Sequence, residues 1–250
     1  MKELKLLLHG ATGRMGKAVK LAATEKKGVT PVCGVAKTEN FSDPNFPIYS
    51  SLTNVKEDFD VIIDFSSAQA IYGLAEYISA RRVPAVICTT GLTENDYALL
   101  KAAAKVAPVF ICTNASYGVA ALVKLVTLAA RLLTDYDVEI IETHHKNKAD
   151  APSGTALTLV RAIKSVSPNK RELYGRNPLS GKRNKSEIGV HSVRGGTAVG
   201  EHTIEFLGDN EVITITHKAE SRAVFAAGAI KAALYAANKK PGLYGMNDLT

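Results

Sequence analysis

Residues 142–155 read Glu142-Thr-His-His-Lys-Asn-Lys-Ala-Asp-Ala-Pro-Ser-Gly-Thr155 and concentrate the proton-handling chemistry of the chain. Two adjacent imidazoles, His144 and His145, and two ammoniums, Lys146 and Lys148, run straight into a turn and a helix start. Polar–apolar alternation over 137–141 predicts a half-buried strand ahead of them. Pro152 suits a first helical turn, and Ser153, Gly154 and Thr155 offer backbone N–H groups there. Leu157, Val160 and Ile163 continue the helical spacing. A strand ending in imidazoles and facing the positive end of a helix suits an anionic small molecule undergoing proton transfer. The competing reading is a polar surface loop. A His-His pair alone favours the loop; the lysines and the anion-ready turn reverse that balance.

These residues need elements to hold them. Leu4 to Leu8 reads as a buried strand running into Gly10-Ala11-Thr12-Gly13-Arg14-Met15-Gly16, after which Met15, Val19, Ala22 and Ala23 share a helical face. Strand, glycine turn and helix together make a dinucleotide site, the glycines letting backbone approach a pyrophosphate at the helix N-terminus. A plain strand-to-helix turn is the rival. The second strand, near 30–35, ends in Ala36-Lys37, where a carboxylate would hold the ribose of NADH and a cation would suit the 2′-phosphate of NADPH. Lys37, with Arg14 as a second charge, favours NADPH while leaving NADH possible; Glu39 lies close by.

Residues 40–57 read as a loop with one short strand. Strands over 60–65, 84–88 and 109–112 alternate with helices over 68–81 and 94–105, which predicts a parallel, doubly wound sheet with its ligand at the strand carboxyl ends. Ser66-Ser67 reads as a helix cap, whereas Thr89-Thr90-Gly91 and Asn114 are placed to reach a nicotinamide ribose. Beyond 117 the pattern changes to a long apolar helix (118–133), the key stretch, a polar basic loop over 165–187, and alternating strands over 188–194, 201–206 and 211–217. That half predicts an α+β domain with an open mixed or antiparallel sheet, able to present a face to another subunit. A final Ala-rich helix over 223–238 suits packing on the first domain.

Global properties narrow the function classes. The 250 residues are 46% hydrophobic and 22% charged, ordinary for a globular chain with a sizeable core. The +7 charge is scattered rather than massed, so it fits an anionic ligand better than nucleic acid. Cys33, Cys88 and Cys112 lie in strand-like runs with no C-x-x-C pair, giving neither a disulfide framework nor a metal site. Buried thiols, a short N-terminal apolar run and no membrane-length segment give a cytoplasmic expectation.

The chain resembles the dihydrodipicolinate (4-hydroxy-tetrahydrodipicolinate) reductase family over essentially its whole length. The resemblance rests on the glycine loop with Arg14-Met15-Gly16, Thr89-Thr90-Gly91, Asn114 with Ser116-Tyr-Gly-Val119, His144-His-Lys-Asn-Lys148 and Asp150-Ala-Pro-Ser-Gly-Thr155. His191-Ser-Val-Arg-Gly-Gly196, Gly200-Glu-His202 and His217-Lys-Ala-Glu-Ser-Arg222 extend it. The glycine loop is shared with many dehydrogenases; the His-His-x-x-Lys run with Asp-Ala-Pro-Ser-Gly-Thr is highly specific. The resemblance implies hydride transfer from NAD(P)H to a cyclic imine dicarboxylate, giving tetrahydrodipicolinate and water in lysine biosynthesis. It makes His144 the proton donor and Lys148 its assisting cation, with His145, Lys148, Ser153, Gly154 and Thr155 binding substrate. Cofactor contacts fall on Gly10, Ala11, Thr12, Gly13, Arg14, Met15, Gly16, Lys37, Cys88, Thr89, Thr90, Cys112, Thr113, Asn114 and Ala115. Residues 1–116 and 223–250 become the Rossmann-like domain, and 117–222 the substrate and oligomerisation domain of a homotetramer. Ala36 departs from the family's acidic residue, Cys88 from a glycine, and Ala115 and Ala120 from Phe and Asn. Two rivals remain: another nicotinamide-dependent dehydrogenase acting on a different anionic, amino-acid-derived substrate, and a dinucleotide sensor without catalysis.

Overall fold

Leu6, Leu7 and Leu8 are all essentially inaccessible, as are Val61, Ile62 and Ile63. Successive strand residues point to opposite faces, so both faces of their sheet must be covered. A computed structural model of the protein, which describes residues 3–37 and 45–249, shows how. The chain runs β1 (Leu4–His9), α1 (Arg14–Thr24), β2 (Val29–Val35), β3 (Ile48–Tyr49), β4 (Val61–Asp64), α2 (Ile71–Arg81), β5 (Ala85–Ile87), α3 (Glu94–Ala103) and β6 (Pro108–Ile111). It continues through α4 (Tyr117–Leu132), β7 (Asp137–His144), α5 (Gly154–Val166), β8 (Arg171–Tyr174), β9 (Glu187–Arg194), β10 (Gly200–Gly208) and β11 (Glu211–Ala219). It closes with α6 (Ala223–Ala236) and β12 (Gly242–Gly245). Two compact units result: Met1–Tyr117 with Arg222–Thr250, and Gly118–Ser221.

The first unit holds a seven-stranded sheet in the order β12-β6-β5-β4-β1-β2-β3, and every paired strand in it is parallel. Leu6, Leu8, Val61, Ile63, Val86 and Phe110 pack on one face with Val19 of α1 and Ala226, Ala229 and Ile230 of α6. Leu7, Ile62, Ala85, Ile87 and Val109 pack on the other with Ile71, Leu74 and Ile78 of α2 and Leu100 of α3. The chain leaves β1 toward β2 on one side and returns to pair β4 on the other. In doubly wound sheets that reversal point is where ligands bind.

The second unit is a five-stranded mixed sheet, β11-β10-β7-β9-β8, with β10 antiparallel to both of its neighbours. Among the described residues, one face is closed: Val138, Ile140, Ile188, Val190, Ile204 and Phe206 pack against Leu122 and Val126 of α4 and Leu159, Val160 and Ile163 of α5. No helix among the described residues is long and apolar enough to cross a membrane.

Several local expectations need correction. The basic segment 165–187 is not one loop: α5 extends to Val166, and β8 adds a parallel edge strand beside β9. The helix expected over 68–81 opens with a 3-10 turn over Ala68–Ala70, and its N-cap Ser67 makes no side-chain cap bond. The Ser66 N–H instead donates to Asp64 Oδ1 (3.1 Å). Glu39 and residues 40–44 lie outside the described residues.

Candidate active site

The second sheet continues its helix-covered face into two polar rows at the ends of β7, β9 and β10. Pairing sets Glu142 beside His202 on one side and Ser192 on the other; the next row sets His144 beside Arg194. Glu142 and His144 are two residues apart on one strand and share a face, continuing the line of Val138 and Ile140. Gly200 makes room for the imidazole: a Cβ there would stand 3.0 Å from His144 Nε2.

Glu142 is fully buried, and every contact it makes compensates that burial. Arg194 grips it with two parallel bonds, Nη1 to Oε2 at 2.9 Å and Nη2 to Oε1 at 2.7 Å. The Ser153 amide donates to Oε1 at 3.0 Å, and His144 Nδ1 lies 2.5 Å from Oε2. Burial by itself would raise this carboxyl. Hydrogen bonds from Arg194, Ser192, His144 and Ser153 outweigh it and bring Glu142 down to about 2. Glu142 is therefore ionised at neutral pH, and His144 carries its proton on Nδ1. Burial lowers His144 below its ordinary value, opposed by the Glu142 bond and charge and reinforced by Lys148 and Arg194.

His202 stands edge-on to His144, ring centroids 5.2 Å apart, with Nε2 3.0 Å from Ser153 Oγ. Burial, with the His144 charge next, lowers it to about 4, so it is neutral at pH 7. Ser153 is the N-cap of α5, its Oγ accepting from the Ala156 amide at 3.2 Å. This differs from the sequence expectation in two ways. Pro152 precedes the cap, following a cis peptide bond, rather than entering the helix, and the Ser153 N–H is committed to Glu142. Gly154 and Thr155 form the first helical turn. Lys148 Nζ pairs with Asp150 Oδ1 at 2.7 Å, while His145 lies one residue past β7, its carbonyl accepting from the Lys148 amide.

The ligand atoms of Glu142, His144 and His202 lie within 4.8 Å of one another, a spacing open to a metal ion. Yet both Glu142 oxygens already accept from the Arg194 guanidinium, so a metal ion would have to displace that charge. The donor set is built around protons.

In the first unit, Gly10 takes φ +82°, and a Cβ on it would meet Phe65 O at 2.5 Å; a Cβ on Gly16 would meet Gly10 O at 2.3 Å. Gly13 caps α1 without a side-chain bond, and no acid occupies the first helical turn. That bare, positively polarised helix end fits a pyrophosphate. Arg14 and Lys37 are exposed, Ala11 and Ala36 are buried, and Thr12 and Met15 are half-buried. Thr89 Oγ1 is engaged, donating to buried Asp64 Oδ2 at 2.7 Å, and Asp64 Oδ1 lies 2.9 Å from His9 Nδ1. Thr90 is exposed; Cys88 and Cys112 are buried, with Thr113 exposed beyond Cys112. Asn114 Oδ1 accepts the Ser116 amide at 2.9 Å. Ala115 is fixed by α6: a Cβ on Gly228 would fall 1.6 Å from its carbonyl oxygen.

A parallel sheet with a glycine turn at its reversal point, joined to a mixed sheet carrying a carboxylate-held imidazole, defines the class of nicotinamide-nucleotide oxidoreductases. Residues 4–115 match the family model "Dihydrodipicolinate reductase, N-terminus", and 118–250 match its C-terminus. The chain is 49% identical over 247 residues to the 4-hydroxy-tetrahydrodipicolinate reductase of Caldanaerobacter subterraneus subsp. tengcongensis, covering 98% of each chain. It is 41% identical over 249 residues to that of Clostridium botulinum, again covering 98% of each. In fold it is similar to the dipicolinate-bound dihydrodipicolinate reductase of Paenisporosarcina sp. TG-14, with TM-score 0.85 at 24% identity over 99% of this chain and 100% of that one. The chain belongs to the dihydrodipicolinate reductase family.

Glu142, Arg194 and His202 are the functional candidates for which sequence reasoning had assigned no role. Glu142 had a signal: it precedes His144 by two on a strand and so must share its face. Arg194 and His202 reach the site only through strand pairing.

Proposed function

We propose that this chain reduces 4-hydroxy-tetrahydrodipicolinate to tetrahydrodipicolinate and water, with His144 as proton donor. The observation that carries the reading is the Glu142–His144 contact of 2.5 Å beside the N-terminus of α5. When bound, a reduced nicotinamide supplies the hydride, and the overall reaction consumes one proton. Glu142 holds His144 through Nδ1, so the transferable proton is the one gained at Nε2, the atom that Gly200 leaves unobstructed. Protonated His144 discharges the negative charge that hydride addition leaves on the conjugated imine. Lys148 adds a cation close enough to be felt at both His144 and His202. Gly154 and Thr155, at the positive end of α5, hold a substrate carboxylate, with His145 on its flank. His202 and Arg194 position the pair.

Binding a dicarboxylate places negative charge beside His144 and raises its proton affinity. In the empty enzyme burial disfavours the imidazolium, and on substrate binding His144 takes up from solvent the proton that the reaction consumes.

The glycine turn and α1 would hold the dinucleotide, with Cys88, Thr89 and Thr90 and the Cys112-Thr113-Asn114-Ala115 turn as further backbone that would bind it. Lys37, with Arg14, favours NADPH over NADH, since no acid stands at Ala36 to receive a free ribose hydroxyl. The chain acts as a cytoplasmic homotetramer; the exposed Val212 and Ile213 of edge strand β11 support an assembly through the second sheet.

The test follows loss of reduced-nicotinamide absorbance on substrate made in situ from pyruvate and aspartate semialdehyde by the preceding synthase. Synthase-dependent oxidation that falls about 10²–10⁴-fold in His144→Gln is expected. NADPH binding without any such oxidation contradicts the reading. Lys37→Ala should erode the NADPH preference about tenfold; an unchanged cofactor ratio would remove Lys37 from the phosphate site.

A further inference from the structure

The chemistry above uses the backbone of Cys88 and Cys112 but not their thiols, which form a pair at the carboxyl end of the parallel sheet. β5 and β6 run side by side in register up to Ile87 and Ile111, and the two cysteines are the first residues beyond each strand. Their Sγ atoms are 3.4 Å apart, inside the core formed with Phe110, Ala115, Ala226 and Ala229. Cys33 is buried in the opposite core layer. Burial, then the contact with Cys112, raises the Cys88 thiol well above its ordinary value.

We propose that Cys88 and Cys112 are a modification site, a dithiol that closes to a disulfide under a two-electron thiol oxidant and thereby weakens dinucleotide binding. Adjacent in-register strands meet the Cα separation a disulfide needs. Closing to a bond length near 2.0 Å requires the sulfurs to approach by roughly 1.4 Å. The strand side is fixed: the Cys88 amide donates to Asp64 O and the Cys112 amide to Ile87 O, both at 2.9 Å. The displacement therefore falls on the residues that follow, Thr89-Thr90 and Thr113-Asn114. The coupling to the dinucleotide rests on the cofactor site proposed above, whereas the disulfide itself does not. With the azo compound diamide as oxidant, both S–H bonds break and one S–S bond forms. The two hydrogens and two electrons reduce the N=N bond to a hydrazine. Buried thiols ionise poorly, so the closure is slow in the resting enzyme. Because linkage is reciprocal, a bound dinucleotide slows it further.

The experiment treats the full chain with diamide, with and without NADPH, maps the cross-linked peptides by mass spectrometry, and titrates NADPH by fluorescence against reduced and oxidised protein. A Cys88–Cys112 peptide, formed more slowly with NADPH present and reversed by dithiothreitol, is expected, with NADPH affinity at least about fivefold weaker after oxidation. Cys33→Ala should retain the cross-link, and Cys112→Ala should bind NADPH equally well before and after diamide. If all thiols remain free in the folded protein, or cross-linking runs between molecules through Cys33, the site is overturned. A mapped Cys88–Cys112 bond with unchanged NADPH affinity overturns its coupling to the cofactor. Reduced protein that binds no NADPH instead contradicts the cofactor reading, while the peptide map still decides the disulfide.

Discussion

Glu142 is the residue on which the site turns. An ionised carboxylate at zero exposure is tolerable only because Arg194, Ser153, Ser192 and His144 all donate to it. Removing the guanidinium leaves a buried charge: Arg194→Met should lower stability by about 3 kcal/mol or more, measured by urea unfolding. A loss under about 1 kcal/mol would mean that water or Lys148 replaces it. The cluster His144, His145, Lys146 and Lys148 was legible in the sequence because adjacent imidazoles and ammoniums before a helix start are a local pattern, whereas the choice of His144 and Lys148 within it rests on the family resemblance. The long-range partners in its surroundings were less so: Arg194 lies 52 positions from Glu142, which it grips, and His202 lies 49 from Ser153, which it contacts. Only strand register brings them together. Thr89 illustrates another gap, since a hydroxyl at a strand end does not disclose whether it faces ligand or, as here, Asp64.

At the scale of elements, the strand–helix alternation of the first unit was readable from periodicity, because strands buried on both faces appear as continuous apolar runs. β8 and β12 were not: Arg-Glu-Leu-Tyr and Gly-Leu-Tyr-Gly are short edge strands without a hydrophobic repeat. The segment 165–187 reads as loop because its turn residues and charges dominate its composition, yet pairing with β9 recruits its middle. α6 sets the turn after β6 through a single glycine. Any side chain at 228 collides with the Ala115 backbone, so Gly228→Ala must displace either α6 or the Asn114–Ala115 turn. It should cost about 1–3 kcal/mol of stability and weaken NADPH binding more than substrate binding. Unaltered melting and NADPH affinity would show that the helix has slack there.

Among the described residues, one sheet is covered on both faces and the other on one, and the second unit carries two strongly depressed groups, His202 and Glu142. His202 is depressed from 6.5 to about 4, so its contribution to stability is complete above pH 6.5 and is lost as pH falls toward 4. Glu142, depressed from 4.5 to about 2, extends the loss between those values. Unfolding free energy should therefore fall with pH below 6.5, and His202→Asn should flatten the slope between 6.5 and 4; an unaltered slope would assign the loss elsewhere. The measurement that bears most directly on the central claim is the pH dependence of kcat/KM and kcat, in the wild type and Glu142→Gln. His144 must be protonated to donate, so kcat/KM should decline as pH rises through its depressed value. In kcat that limb should sit at higher pH, because bound dicarboxylate favours the proton. Glu142 raises His144, so Glu142→Gln should move the kcat/KM limb to lower pH. A limb that stays in place, or moves to higher pH, would contradict a proton donor held by Glu142.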